Sequence, residues 1–136
     1  MSDCLFCRIA EGSIPGIKVY EDDKLFAMMD IFPESKGHLL IIPKAHADNL
    51  FEMTADGLAH VIQVSQRIAL AAKQALDADG IKIIQFNGSA AGQTVFHYHM
   101  HIVPAYEGVA FKRHAGQPAD GDELQRLAAL IKAELK

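Results

Sequence analysis

Short runs of apolar residues separated by polar turns dominate the first third of the chain. Residues 18–20 and 25–29 are mostly apolar and are joined by the polar residues 21–24, which predicts a β-hairpin. A third apolar run, residues 39–42, predicts a buried strand. It stops at Pro43, because proline has no N–H to donate to a β-ladder.

A helical pattern follows, from residue 54 to about residue 77. Apolar side chains recur at three- and four-residue steps, while charged and amide side chains fill the other positions. Thr54 suits the N-cap of this helix, and Gly80 suits the connection after it. The recurring apolar positions are Leu58, Val61, Ile62, Ile68, Ala69, Ala72 and Leu76.

The second half of the chain contains the remaining predicted elements. Residues 81–85 and 95–103 predict two strands around a loop rich in glycine and alanine, residues 87–92. Residues 122–136 predict a short C-terminal helix with leucines and isoleucine on one side. We therefore expect one α+β domain over residues 1–136, with a five-stranded antiparallel sheet, one long helix and one short helix.

Composition narrows the class of protein. The 136 residues are 50% apolar and 22% charged, which is typical of a single globular domain. A net charge of −4 disfavours binding to a nucleic-acid polymer but leaves a single nucleotide open. No apolar run is long enough to span a membrane, and no secretory signal is recognised, so we expect a cytoplasmic protein. Both cysteines lie in one segment, Cys4-Leu5-Phe6-Cys7, whose spacing in a reducing compartment points to metal binding or redox chemistry.

Three histidines at alternate positions are the strongest chemical signal in the chain. In a strand, His97, His99 and His101 would project from one face, and the intervening Tyr98 and Met100 from the other. The pattern alone leaves two interpretations open: a metal site, or nucleophilic catalysis by a neutral imidazole. The preceding residues 87–94 favour the second, because their glycines and hydroxyl and amide donors suit a phosphate.

These residues resemble a known family. Residues 92–103 (GQTVFHYHMHIV) are similar to the signature of the histidine-triad (HIT) proteins. Four other segments resemble the corresponding parts of bacterial members: residues 4–7, 19–23, 29–31 and 37–46. The resemblance covers roughly residues 4–106 and implies a HIT-like fold.

The resemblance implies a role for each matching residue. His99 would be the nucleophile that becomes nucleotidylated, and His101 would contact the phosphate. Thr94 would donate to the leaving group, and His38 would tune the triad. Nucleotide-binding residues would be Asp30 on the ribose hydroxyls, Gln93 near the phosphate, and an apolar set around the base: Phe6, Ile9, Met28 and Leu40.

Two positions depart from the family pattern. Phe86 stands where many members have an asparagine, and Asn87 follows one position later. Asn87 is a candidate nucleotide ligand, although adjacent strand positions point to opposite faces. Ala105 stands where many relatives have an arginine after Pro104. Both departures bear on the choice of substrate.

The resemblance also implies a structural zinc site. Relatives with the Cys-x-x-Cys pair complete it with two histidines, which here are His46 and His97. Cys4, Cys7, His46 and His97 would form a closed site. Two alternatives are a pair of free buried cysteines and a zinc hydrolase that uses His97, His99 and His101 as ligands.

The expected function is hydrolysis or transfer at the α-phosphate of a purine nucleotide, of the nucleoside phosphoramidate type. The alternatives are a dinucleoside polyphosphate hydrolase and a non-catalytic nucleotide-binding adaptor. The family further implies a homodimer joined edge to edge through its sheets, in keeping with the open edges of a small sheet. His60 and His114 fit surface positions.

Overall fold

The computed structural model describes residues 3–113 and 116–135, so His114 lies outside the described residues. Its strands are β1 (Lys18–Glu21), β2 (Leu25–Met29), β3 (Leu39–Pro43), β4 (Gly80–Ile84) and β5 (Met100–Ala105). Its α-helices are α1 (Leu5–Ala10), α2 (Ala55–Leu76) and α3 (Gly121–Glu134), with short 3-10 turns at Leu50–Glu52 and Ser89–Ala91. In the described part of the chain, no helix is both long and apolar enough to cross a membrane.

The strands form one antiparallel sheet in the order β1-β2-β3-β5-β4. Alternate residues of β2 and β3 therefore belong to two different cores. Leu25 and Leu39 pack into the main core under α2 and α3, whereas Phe26 and Leu40 pack into a smaller core under α1. The sheet thus has a main-core face and an α1 face.

The register brings three residues into one row across the α1 face. Met28 of β2 lies opposite Leu40 of β3, and Leu40 lies opposite His101 of β5. Directly opposed residues of antiparallel strands project to the same side of the sheet. His101 is therefore aligned with apolar side chains of the smaller core.

The predicted architecture is confirmed in most elements. The hairpin strand at 25–29 has the predicted bounds, and α2 begins after Thr54, whose Oγ1 accepts a hydrogen bond from the N–H of Gly57 at 2.9 Å. Asp77 ends α2 in a left-handed conformation, with φ of 54°. Gly80 is the first residue of β4 and not part of the turn that precedes it.

Two expectations were wrong. The predicted strand 95–103 begins only at Met100, which pairs with Ile41 of β3, and residues 95–99 have an irregular conformation. The N–H of Tyr98 bonds instead to the carbonyl of Ala47, at 2.8 Å. In addition, α1 is a third helix that the pattern did not predict, since six residues are too few to display a helical period.

Candidate active site and metal cluster

A cavity of about 810 Å³ opens on the α1 face of the sheet. Its wall is mostly apolar and includes the four residues expected around a base: Phe6, Ile9, Met28 and Leu40. Five polar residues singled out from the sequence also line it: Asp30, Gln93, Thr94, His99 and His101. An apolar wall with a few convergent polar groups is typical of a small-molecule site.

Asp30 follows the last residue of β2 and is only 5% exposed although it lines the cavity. One carboxylate oxygen, Oδ1, accepts a hydrogen bond from the N–H of Phe32 at 2.8 Å. The other, Oδ2, lies 3.5 Å from Nε2 of His38. The carboxylate is thus held in a fixed position at the cavity wall.

His38 lies beside this carboxylate, fully buried, and its hydrogen bonds define its tautomer. The N–H of Glu34 donates to Nδ1 of His38 at 3.0 Å, so the proton of the neutral ring is on Nε2. That Nε2 lies 2.9 Å from Nδ1 of His101 and donates to it. Since Nδ1 of His101 accepts, the neutral His101 carries its own proton on Nε2 and can donate to a ligand.

His99 is oriented by the backbone beside it. Its Nδ1 donates to the carbonyl of His97 at 2.7 Å, because a carbonyl oxygen can only accept. The lone pair of the neutral ring is then on Nε2, the nitrogen that a nucleophile needs. The ring packs edge-on between Phe6 and His101, with centroids 5.1 Å and 5.2 Å away.

Gln93 holds the loop next to the histidines together. Gly88 and Gly92 have φ of 94° and 106°, which only glycine adopts without strain. The side chain of Gln93 is buried, and its Oε1 accepts from the N–H of Gly88 at 2.7 Å. Its Nε2 donates to the carbonyls of Asp48 and Val95, at 2.6 Å and 3.0 Å. Gln93 therefore lines the cavity, but its amide group is hydrogen-bonded to the main chain.

Asn87 is the one predicted nucleotide ligand that does not line the cavity. Its Oδ1 accepts from the N–H of Leu50 at 2.8 Å, and its amide pairs with the amide of Gln85. Phe86 lines the cavity instead, with its ring edge-on to His101 at a centroid distance of 5.8 Å. The two neighbours therefore have different surroundings, and both lie beyond the end of β4.

A second constellation lies beside the cavity and contains Cys4, Cys7, His46 and His97, which we call the Cys2His2 cluster. Their ligand atoms all lie within 4.8 Å of one another. Sγ of Cys4 is 3.2 Å from Nδ1 of His97, and Sγ of Cys7 is 3.4 Å and 3.5 Å from Nδ1 of His46 and His97. A tetrahedral zinc site has ligand–ligand distances of roughly 3.3–3.8 Å, so the four side chains fit such an ion.

Hydrogen bonds on the far side of both imidazoles support that fit. Nε2 of His97 donates to the carbonyl of Pro43 at 2.7 Å, and Nε2 of His46 contacts Asp48 at 2.9 Å. Both bonds leave the Nδ1 lone pair directed towards the thiols, as metal-binding histidines require. Burial lowers the pKa of His97, whereas the hydrogen bond to Asp48 raises the pKa of His46.

Residues 11–108 match the family model of the HIT domain. The chain belongs to the HIT family. This assignment confirms the resemblance found in the sequence, and the HIT fold extends over nearly the whole chain in comparisons with solved structures.

Three solved HIT structures illustrate the likeness. A Hit-like protein of Bartonella henselae, involved in cell-cycle regulation and solved with an unknown ligand, is 40% identical, with a TM-score of 0.93 over 98% of this chain and 96% of that one. A hypothetical histidine triad nucleotide-binding protein of Sulfolobus tokodaii is 35% identical, with a TM-score of 0.88 over 96% and 91%. A Zn-bound histidine triad family protein of Mycobacterium smegmatis is 38% identical, with a TM-score of 0.87 over 97% and 92%.

Sequence reasoning missed two residues of this region. Asp48, the hydrogen-bond partner of His46, could have been found from its position two residues after a candidate metal-ligating histidine. Phe86 was recognised only as a departure from the family pattern, yet it forms part of the cavity wall.

Proposed function

We propose that this HIT protein cleaves purine nucleotides of the nucleoside phosphoramidate type at the α-phosphate, through a nucleotidyl intermediate on His99. The observation that carries the proposal is the hydrogen bond from Nδ1 of His99 to the carbonyl of His97, 2.7 Å long. It leaves the nucleophilic lone pair on Nε2 of a residue that lines the cavity. The similarity to a histidine triad nucleotide-binding protein supports a nucleotide as the ligand.

The first step is attack of Nε2 on phosphorus. The Nε2–P bond forms, the P–N bond to the leaving amine breaks, and the amine takes a proton from water. Positive charge develops on the His99 ring, and the carbonyl of His97 stabilises it through Nδ1–H. Water then attacks the same phosphorus and gives its proton to the hydroxide left by the first step, the Nε2–P bond breaks, and the nucleoside monophosphate leaves with His99 regenerated.

Neighbouring groups support this step. Nε2–H of His101 donates to the phosphoryl oxygens, and its orientation is maintained by His38. The Thr94 hydroxyl donates to the departing nitrogen. Asp30 accepts from the ribose hydroxyls, and the base lies against the apolar wall of Phe6, Ile9, Met28 and Leu40. Gln93 acts by supporting the loop, since its amide is engaged by the backbone.

The Cys2His2 cluster is the zinc site of this proposal. Zn²⁺ held by Cys4, Cys7, His46 and His97 would have four protein ligands and would be structural, joining the N-terminal segment to the segment that carries the triad. The Zn-bound relative from Mycobacterium smegmatis supports the choice of metal. Thiolate ligands require reduced cysteines, which fits a cytoplasmic location.

A homodimer completes the proposal. In the described sheet, β4 is hydrogen-bonded on one side only, and Ile83 on that edge strand is 45% exposed. Ile62 and Leu70 of α2 are each 55% exposed. A second copy of the chain paired along β4 would cover this edge. Light scattering should give a dimer for the wild type and a monomer for Ile83→Lys; a wild-type monomer would refute this part of the proposal.

The test of the function is a search for the covalent intermediate. Purified protein is mixed with adenosine 5′-phosphoramidate, quenched, and weighed intact. We expect an adduct of one nucleoside monophosphate and turnover on the wild type and on His60→Ala, a matched histidine outside the cavity, and neither on His99→Ala.

Other results would point elsewhere. Turnover by His99→Ala would refute the mechanism. Binding of AMP by the wild type without adduct or turnover would favour a nucleotide-binding adaptor. Faster cleavage of a dinucleoside polyphosphate than of the phosphoramidate would favour that alternative substrate class.

A further inference from the structure

The Cys2His2 cluster is joined to the nucleophile through a single residue. The side chain of His97 contributes Nδ1 to the cluster, 3.2 Å from Sγ of Cys4. Its main-chain carbonyl accepts the Nδ1–H of His99. A change at the cluster that displaces the main chain of His97 would therefore also displace the acceptor that defines the tautomer of His99.

A second link runs through α1. Phe6 lies between Cys4 and Cys7 in the sequence, and its ring lines the cavity. The same ring contacts His97 and His99, at centroid distances of 5.8 Å and 5.1 Å. The position of the two thiols thus determines where one wall of the nucleotide cavity stands.

A third link leads to the loop beside the phosphate position. Asp48 contacts Nε2 of His46 with its carboxylate, and its carbonyl accepts from Nε2 of Gln93. Gln93 in turn holds the N–H of Gly88. His46 is therefore connected to the glycine-rich loop through two hydrogen-bonded residues.

The rest of the fold does not depend on this cluster. The main core is built by the sheet, α2 and α3, and among its described buried residues none belongs to α1. Among the described residues, α1 is held by the smaller core, through Phe6 and Ile9, and by Cys7 and the N-cap Cys4 in the cluster. Loss of the cluster would therefore loosen the cavity wall while leaving the main core in place.

We infer that filling of the Cys2His2 cluster orders His99 and the cavity wall, so that a metal ion and a nucleotide bind cooperatively. The inference rests on the proposed function, because it takes a nucleotide as the ligand of the cavity. Coupling is reciprocal: the factor by which the metal strengthens nucleotide binding equals the factor by which the nucleotide strengthens metal binding.

The first experiment compares zinc-loaded protein with protein stripped by a chelator, both checked for folding by circular dichroism. We expect AMP to bind about tenfold more weakly to the stripped protein in isothermal titration calorimetry. Equal affinities would overturn the inference. Unfolding of the stripped protein would also overturn the inference, because the main core, which contains no described buried residue of α1, should stay in place without the metal. In the folded protein, saturating AMP must in turn raise the zinc affinity about tenfold, and an unchanged affinity overturns the inference.

A second measurement needs no nucleotide. The ¹⁵N signals of the His99 ring, assigned by comparison with His99→Gln, should report one tautomer, protonated on Nδ1, in the loaded protein. In the stripped protein, at the same pH, we expect a mixture of tautomers. A single unchanged tautomer would contradict the inference. If the loaded protein does not bind AMP, the proposed function fails, and these signals still test the coupling to His99.

Asp48 provides a variant that leaves the four ligands intact. Asp48→Asn should weaken zinc binding about tenfold. AMP binding should then weaken at limiting zinc and return to the wild-type value at saturating zinc. Asp22→Asn is the matched control, because it weakens another carboxylate–histidine contact, 2.8 Å to His60, away from the cluster. If Asp48→Asn still binds AMP more weakly than the wild type at saturating zinc, the coupling is contradicted.

Discussion

Nε2 of His38 donates to Nδ1 of His101 across 2.9 Å, so the third histidine of the triad is oriented by the residue that precedes β3. Neither ring is more than 5% exposed. The bond assigns the proton of His101 to Nε2, the nitrogen able to donate to a phosphate. A residue that need not touch the substrate thus orients the donor that we propose for the phosphate.

His38→Ala should lower kcat for adenosine 5′-phosphoramidate by about tenfold to a hundredfold with little change in KM. Removing a direct donor, as in His101→Ala, should lower kcat further, by a factor on the order of 10²–10³. Steady-state kinetics with His60→Ala as the control would measure both effects. A kcat of His38→Ala equal to the wild-type value would show that His101 does not need this orientation.

Asp30→Asn should abolish discrimination between a nucleotide with ribose hydroxyls and its 2′,3′-dideoxy analogue. Hydrogen bonds to a charged acceptor contribute about 1.5–3 kcal/mol, so the wild type should prefer AMP by at least about tenfold. Isothermal titration calorimetry of the wild type and of Asp30→Asn, each with AMP and with the dideoxy analogue, isolates the contribution of the contact between Asp30 and the ribose. If the wild type binds both nucleotides equally, Asp30 does not contact the ribose.

Asp22 should make stability depend on acid pH. Partial burial raises its pKa, but hydrogen bonds from the N–H groups of Lys24 and Leu25 and from Tyr20 and His60 outweigh this and lower the pKa to about 2. A depressed folded pKa stabilises the protein above the unfolded pKa near 3.8, and the contribution is lost as the pH falls towards 2.

The free energy of unfolding of Asp22→Asn should therefore be about 2 kcal/mol lower than that of the wild type near neutral pH, and this difference should shrink towards pH 2. Urea unfolding of both proteins at several pH values measures this difference in the free energy of unfolding. Asp23→Asn, an exposed neighbour in the same turn, controls for the change in charge. A difference that does not vary with pH would contradict the explanation.

Gly37→Ala should destabilise the protein more than Gly12→Ala. Both glycines have positive φ, 93° and 87°, so each substitution carries the same backbone strain of about 1–2 kcal/mol. A Cβ on Gly37 would also collide with the side chain of Leu76, whereas nothing lies within 4 Å at Gly12. We expect a total loss of about 3 kcal/mol for Gly37→Ala in urea unfolding. Equal losses would show that Leu76 moves aside without cost.

The sequence predicted the elements whose signals are local. β2 and α2 were located closely because apolar runs, the helical period and the Thr54 cap are all readable within a few residues. The helix α1 and the irregular segment 95–99 were not predicted. Their conformations depend on distant partners, such as the carbonyl of Ala47 that accepts from Tyr98.

The distinction between local signals and dependence on distant partners also applies to the site. Spacing and family resemblance identified nine of the residues that line the cavity and the four of the Cys2His2 cluster, and the structure brings each set together. The sequence did not show that the amide of Gln93 is used by the backbone, because its partner at Asp48 lies far away in the chain. The placement of Asn87 against Leu50 has the same origin.

The row of Met28, Leu40 and His101 across three strands limits how the substrate range of this protein can change. Neighbouring strands are about 4.7–4.9 Å apart, so the sheet imposes a constant distance between the apolar wall and the histidine. A one-residue slip of β5 would turn His101 into the main core, so that distance cannot be adjusted in small steps. Adaptation to a larger or smaller ligand would therefore arise in α1, in the loops around the cavity or in the size of the strand side chains, while the spacing of the strands remains constant.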